Sequence, residues 1–161
     1  MANQEIVKAL KESRLGVELD DGQADKLAQR VSLRDVAPGE TLVSEGTSDN
    51  HLYAIVSGVF GVIKGSGTPE QTTLHTLTKG DLAGELSFID GNRHYASLVA
   101  LAPSRVIALE REQFESILHS DPALVYCVMR AIVRTVHEIQ RRLSMQAVEL
   151  SNYIFKQHGR Y

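Results

Sequence analysis

Residues 52–64, LYAIVSGVFGVIK, decide the fold class of this 161-residue chain. Two apolar runs rich in β-branched and aromatic residues flank Ser57-Gly58, a pair that predicts a tight hairpin between two strands. Short apolar runs separated by turn residues continue on both sides of this segment. They comprise residues 33–36, 41–44, 72–77, 96–101 and 105–110. This spacing predicts a sandwich or small barrel of about eight strands.

Helical periodicity appears before and after the predicted strands. Apolar residues recur at helical spacing in residues 3–13 and 21–31, and again in residues 111–119. Asp121 as N-cap and Pro122 at the first helical position predict the start of a longer helix over residues 122–157. It would extend about 54 Å, beyond a compact core roughly 35 Å across. We therefore divide the chain into a β-barrel domain with N-terminal helices, residues 1–120, and a long C-terminal helix, residues 121–161.

The long helix carries an apolar stripe at alternating steps of three and four residues. Its members are Met129, Ile132, Val136, Ile139, Leu143, Leu150 and Tyr153, with Gln146 as the polar interruption. A heptad stripe of this kind predicts a homodimer in which residues 122–157 of two copies pair. The alternative is that the stripe packs on the barrel of its own chain.

Composition excludes several classes of protein. Hydrophobic residues make up 43% of the chain and charged residues 23%, as in soluble globular proteins, and the net charge of −3 does not favour nucleic acid or anionic lipid. The single cysteine, Cys127, agrees with a reducing compartment. Neither a basic leader nor a membrane-length apolar run is present, so we expect a cytoplasmic protein without a membrane segment. The six histidines lack metal-ligand spacing and no catalytic motif occurs, so an enzyme is not expected.

The segment with the clearest chemical content is residues 80–100, GDLAGELSFIDGNRHYASLVA. Gly84 ends a turn, and a short helix is predicted over residues 85–90 before Gly91-Asn92 stops it. The first N–H groups of that helix, on Glu85, Leu86 and Ser87, lack partners within it and would attract a phosphate or carboxylate. By itself the signal is weak, because a structural corner is the commoner explanation for a glycine followed by an acid at a loop-to-helix junction.

This segment resembles the phosphate-binding cassette of the cyclic nucleotide-binding domain family, which includes the catabolite activator protein and the regulatory subunits of cyclic-AMP-dependent protein kinase. The resemblance extends to Pro38-Gly39-Glu40, Glu45-Gly46, residues 52–58, Gly80-Asp81 and the long helix. It implies a mainly β fold with helices, a double-stranded β-helix (jelly roll).

The resemblance also implies a set of ligand-binding residues. Gly84 and Glu85 would lie against a cyclic nucleotide, with Glu85 accepting a hydrogen bond from the ribose 2′-hydroxyl, and Ala96 and Ser97 would contact the phosphate. In the family pattern Pro-Arg-Ala-Ala-Thr-Val, the arginine binds the phosphate. Here His94 stands at that position.

Three outcomes follow from this departure. Arg93, one position early, could reach the phosphate through a shifted loop; His94 could supply a weaker contact; or the pocket could bind another ligand or none, with Tyr95 filling it. On the long helix, the positions that touch adenine in the catabolite activator group fall at Ile139 and Gln140, of which only Gln140 can hydrogen-bond to a base.

We therefore expect a stand-alone regulatory sensor that binds cAMP or cGMP, requires no cofactor and signals to an unidentified effector protein through its dimer helix. Direct DNA binding is not expected, because no helix-turn-helix domain follows residue 161. One alternative is a ligand-free domain of the same fold that acts as a protein–protein interaction module. The other is a metal-dependent jelly-roll enzyme.

Overall fold

A computed structural model describes residues 2–158, which form five helices and eight strands. The elements are α1 Ala2–Glu12, α2 Asp21–Ala28, β1 Val31–Val36, β2 Thr41–Val43, β3 His51–Ser57, β4 Phe60–Lys64, β5 Thr72–Leu77, β6 Leu82–Ala83, α3 Glu85–Asp90, β7 Ser97–Ala100, β8 Ser104–Glu110, α4 Arg111–Glu115 and α5 Pro122–His158. Two four-stranded antiparallel sheets have the orders β1-β8-β3-β6 and β2-β7-β4-β5. The predicted mainly β fold with flanking helices is confirmed.

The predicted hairpin at Ser57-Gly58 is wrong. β3 pairs with β8 and β6, whereas β4 pairs with β5 and β7 in the other sheet. The chain therefore crosses from one sheet to the other at Gly58, whose φ is +91°. A Cβ on Gly58 would lie 2.0 Å from the Ser104 hydroxyl oxygen, so only glycine fits this crossing.

The clearest differences from the sequence prediction are two helix ends and one additional strand. Val31 opens β1 opposite Leu109 instead of ending the second helix. The helix predicted to reach residue 119 ends at Glu115. The sequence did not indicate β6, which has only two residues and pairs with Tyr53 and Ala54. Each difference reflects pairing or packing that propensity does not encode.

The buried apolar side chains form two clusters. One lies between the helices and the β1-β8-β3-β6 sheet, where Leu10, Leu27 and Leu124 meet Leu52 and Leu109. The second lies between the two sheets; its most deeply buried large side chains are Phe60, Ile55, Val36 and Val106. The helices and the two sheets thus form layers, with one apolar cluster between the helices and a sheet and the other between the two sheets.

Helix α5 begins as predicted. The Asp121 carboxylate accepts a hydrogen bond from the Leu124 backbone N–H at 3.0 Å, which is the geometry of an N-cap. The helix has 37 residues, and its described residues from 140 to 156 are all exposed. Residues 159–161 of the predicted C-terminal segment lie outside the described residues, as does Met1.

The apolar stripe of α5 divides into two parts. Ile132 is buried in the core, and Met129 and Val136 pack against that core, so this half of the stripe contacts its own barrel. Leu143 and Leu150 are 60% and 61% exposed. Over residues 2–158, no helix is both long and apolar enough to cross a membrane.

Candidate functional site

A cavity of about 270 Å³ opens between the β2-β7-β4-β5 sheet, α3 and the middle of α5. Its wall includes most of the ligand-binding residues indicated by the sequence, namely Gly84, Glu85, Leu86, Ser87, Arg93, His94, Ala96 and Ser97. Gln140 does not line the cavity and is exposed, whereas its neighbour Ile139 does line it. Adjacent helical residues point about 100° apart, so only one of the two can face the cavity.

The turn at Gly84 is possible only for glycine. Its φ is +76°, and a Cβ there would lie 2.7 Å from the His51 carbonyl oxygen. Gly84 is the N-cap of α3, and no side chain among the described residues caps this end. The Gly84 carbonyl accepts the Phe88 N–H at 2.9 Å, so α3 begins with Glu85 as the sequence predicts.

Glu85 is the first residue of α3 and is partly buried. Burial raises the pKa of its carboxyl above the ordinary value, and the opposing effects of its own backbone and of His94 are smaller. The carboxylate lacks the solvation it would have in water, which favours a hydroxyl donor as partner.

Tyr95 does not fill the cavity. Its side chain lines the wall but the residue is 56% exposed, and its carbonyl accepts a hydrogen bond from the Lys64 ammonium at 2.9 Å. Partial burial and the charge of Glu85 raise the pKa of the Tyr95 phenol. The residue therefore forms part of the rim near Glu85.

The two cationic candidates differ sharply in environment. Arg93 is exposed at the cavity, and no hydrogen bond or ion pair joins it to any residue that the structure describes. His94 is only 8% exposed, and its Nε2 lies 3.0 Å from the Asp49 Oδ1. An ionised carboxylate can only accept, so the His94 Nε2 carries the hydrogen and donates it to Asp49.

Two serines on the cavity wall are buried. The Ser97 hydroxyl oxygen accepts the Glu45 N–H at 2.9 Å, which leaves its own hydrogen available as a donor. The Ser87 hydroxyl lies 3.3 Å from that of Ser48. Ala96 is buried beside Ser97.

The end of α3 is held by Arg111. Its Nε donates to the Phe88 carbonyl at 2.7 Å, and its Nη2 donates to the Ser87 carbonyl. The Ser87 carbonyl also accepts the Gly91 N–H at 2.9 Å, so the guanidinium adds a second donor there and supplies a partner for the Phe88 carbonyl near the end of the helix.

Sequence reasoning missed two residues of this region, Asp49 and His75. Asp49 lies in the turn between β2 and β3, and its only sequence signal is its type in a turn. His75 lines the cavity from β5, opposite Val62. Burial and the charge of Arg142 lower the pKa of His75. The two-residue period of β5, with Leu77 on the same face, could have indicated it.

The described part of the chain contains no group of three or more His, Cys, Asp or Glu side chains suited to a metal ion.

Comparison with known proteins yields consistent matches. The family model of the cyclic nucleotide-binding domain matches residues 33–121. An uncharacterized NTE family protein of Mycobacterium tuberculosis is 28% identical over 130 residues, 81% of this chain and 22% of that protein. Isozyme 1 of the cGMP-dependent protein kinase of Drosophila melanogaster is 28% identical over 115 residues, 70% of this chain and 15% of the kinase.

Among solved structures, a cyclic nucleotide-binding domain from Methylobacillus flagellatus superposes with a TM-score of 0.80 at 22% identity. The alignment covers 91% of this chain and 83% of that one, which establishes a common fold. The chain spans less than a quarter of the two curated relatives.

Proposed function

Because this chain belongs to the cyclic nucleotide-binding domain family, we propose that its cavity binds a cyclic nucleotide, cAMP or cGMP, and that the domain is regulatory. The observation that carries the proposal is the meeting of Gly84, Glu85 and Arg93 on one cavity wall, where Arg93 has no ion-pair partner within residues 2–158. A carboxylate for a sugar hydroxyl and a guanidinium for a phosphate are the two groups that a ribose cyclic phosphate requires.

Within this proposal each side chain has a distinct role. Glu85 accepts a hydrogen bond from the ribose 2′-hydroxyl, and the backbone N–H groups of Leu86 and Ser87 lie on the phosphate side. Arg93 supplies the positive charge at the phosphate. Ser97 donates its hydroxyl hydrogen to the same group. His94 is already engaged by Asp49 and does not take the place of the family arginine.

Titration calorimetry with cAMP and cGMP tests the proposal. Arg93→Ala should weaken binding about 10- to 100-fold, the cost of a lost charge-assisted hydrogen bond, with little change in stability. Glu85→Ala should also weaken binding. Arg34→Ala removes a guanidinium that pairs with Glu40 outside the cavity, and it should leave affinity unchanged.

The proposal would be refuted if neither nucleotide at about 1 mM gave binding heat or a shift in melting temperature. At that concentration even weak binding, with a free energy of about −4 kcal/mol, would be detected. The ligand-free interaction module would then be the better assignment. Unchanged affinity in Arg93→Ala would refute the role of Arg93 alone.

We further propose that residues 122–157 form a homodimer helix that transmits occupancy to an effector protein. The support is the exposure of Leu143 and Leu150 at heptad spacing, on a helix that contributes Ile139 to the cavity wall. A ligand that contacts Ile139 would bias the position of α5, which couples the cavity to the dimer.

Sedimentation measurements test the dimer. Replacing Leu143 and Leu150 together by Glu should give a monomer whose barrel unfolds as before, because both residues lie beyond the core. Asn152→Glu, on the opposite side of the exposed helix, is the matched control and should remain dimeric. A wild-type monomer at about 100 μM, well above the Kd of stable homodimers, would refute this proposal.

Four expectations remain predictions. They are the division into residues 1–120 and 121–161, the cytoplasmic location, the lack of catalysis and the lack of direct DNA binding. They belong to the same proposal of a sensor that acts on another protein.

A further inference from the structure

Asp49 is the centre of a polar network behind the cavity wall. Its carboxylate accepts hydrogen bonds from the Tyr53 hydroxyl at 2.5 Å and from the His94 Nε2 at 3.0 Å. Its backbone carbonyl accepts the His51 Nδ1–H at 2.5 Å, and the His51 and Tyr53 rings stack at 5.8 Å between centroids.

The network is partly buried, and the Asp49 side chain at its centre is 27% exposed. Tyr53 is 3% exposed, and the His94 side chain 8%. Burial would raise the pKa of Asp49, but the hydrogen bonds from Tyr53 and His94 hold it below its ordinary value. A buried imidazole that lost this carboxylate would leave an unpaired donor, so the paired arrangement is strongly favoured.

The backbone of His94 is held by the same loop. Its N–H donates to the Thr47 carbonyl at 2.8 Å, and its carbonyl accepts the Gly46 N–H at 2.8 Å. Three hydrogen bonds from residues 46–49 therefore fix the orientation of His94. Residues 91–94 form no regular secondary structure, so these hydrogen bonds at His94 restrict the backbone from which the adjacent Arg93 side chain projects towards the cavity.

We propose that Asp49 and His94 are positioning residues, which hold residues 91–95 so that the Arg93 guanidinium faces the phosphate of the bound nucleotide. This inference rests on the proposed nucleotide binding. In this arrangement His94, which stands at the position of the family arginine, does not contact the phosphate itself. It holds the loop so that Arg93, one residue earlier, can do so. Gly84 lies next to the His94 ring, since a Cβ on Gly84 would be 3.8 Å from the His94 Cε1.

A double-mutant cycle tests the inference. Asp49→Ala should weaken cyclic nucleotide binding about tenfold in the wild-type background, a loss that corresponds to one misplaced charge-assisted contact. In an Arg93→Ala background the same change should weaken binding less than about twofold, because the contact it supports is already gone. Asp49→Asn should reproduce the non-additivity if the alanine variant does not fold. Glu40→Ala removes a turn-organising carboxylate outside the cavity and should not change affinity.

Hydrogen exchange gives a second measurement that needs no ligand. Amides of residues 91–95 should exchange faster in Asp49→Ala than in wild type, while those of β8 should not. Equal weakening of binding in both Arg93 backgrounds, or unchanged exchange in residues 91–95, would overturn the inference. If the wild-type protein binds no nucleotide, the proposed function fails, and the exchange result alone decides whether Asp49 and His94 hold this segment.

Discussion

The Gly84→Ala substitution tests how closely the backbone at Gly84 approaches the His51 carbonyl oxygen beside the cavity. The φ of +76° costs an L-residue about 1–2 kcal/mol. In addition, the new Cβ would lie 2.7 Å from the His51 carbonyl oxygen. That oxygen has little freedom, because His51 opens β3 opposite Glu110 in the sheet. Forced overlap in a packed region costs about 1–3 kcal/mol, so the total loss should be about 2–5 kcal/mol.

Gly67→Ala is the matched control. Gly67 has a φ of +81°, and a Cβ there would meet nothing within 4 Å, so this variant carries the backbone strain without the overlap. Urea unfolding of both variants, followed by far-UV circular dichroism, should place Gly84→Ala about 1–3 kcal/mol below Gly67→Ala in free energy of unfolding. A difference below about 0.5 kcal/mol, near the error of the method, would refute the close approach to His51.

Three further outcomes are expected. Glu85→Gln should raise the free energy of unfolding at pH 7 by up to about 1 kcal/mol while weakening nucleotide binding. Because the pKa of the Glu85 carboxyl is raised in the native state, its ionisation opposes folding. The gain in free energy of unfolding should therefore vanish in urea titrations at a pH below the ordinary pKa of the carboxyl. A variant less stable than wild type at pH 7 would contradict this. Arg111→Ala should cost about 1–3 kcal/mol and speed amide exchange in α3, since the Phe88 carbonyl loses its side-chain donor and the Ser87 carbonyl keeps only the Gly91 N–H; unchanged exchange there would exclude this capping. Asp49→Asn should cost more stability at pH 6 than at pH 3, because the native pKa of Asp49 is lowered and its contribution disappears as pH falls through that value; equal losses at both values would argue against the ionised carboxylate.

Much of the local structure could be predicted from the sequence because it depends on neighbours in the chain. Asp121 and Pro122 start α5 through a cap formed within three residues. Gly84 and Gly91 bound α3 with positive φ, which side-chain sterics make specific to glycine. The alternation of apolar runs and turns likewise located most strands, and the resemblance of residues 80–100 indicated eight of the residues that line the cavity.

Contacts between distant residues decided the rest. Whether the runs on either side of Ser57-Gly58 pair with each other depends on β8 and β7, which follow some forty residues later, and the structure places them in different sheets. The partner of His94 is Asp49, 45 positions away, and no local pattern relates an acid in one turn to a histidine in another. The sequence by itself determined most of the elements and the main polar groups available at the cavity, because these arise from short-range sterics and residue type. Only the tertiary structure decided that Arg93 has no partner among the residues described while His94 pairs with Asp49, because burial and hydrogen-bond partners are properties of the packed chain.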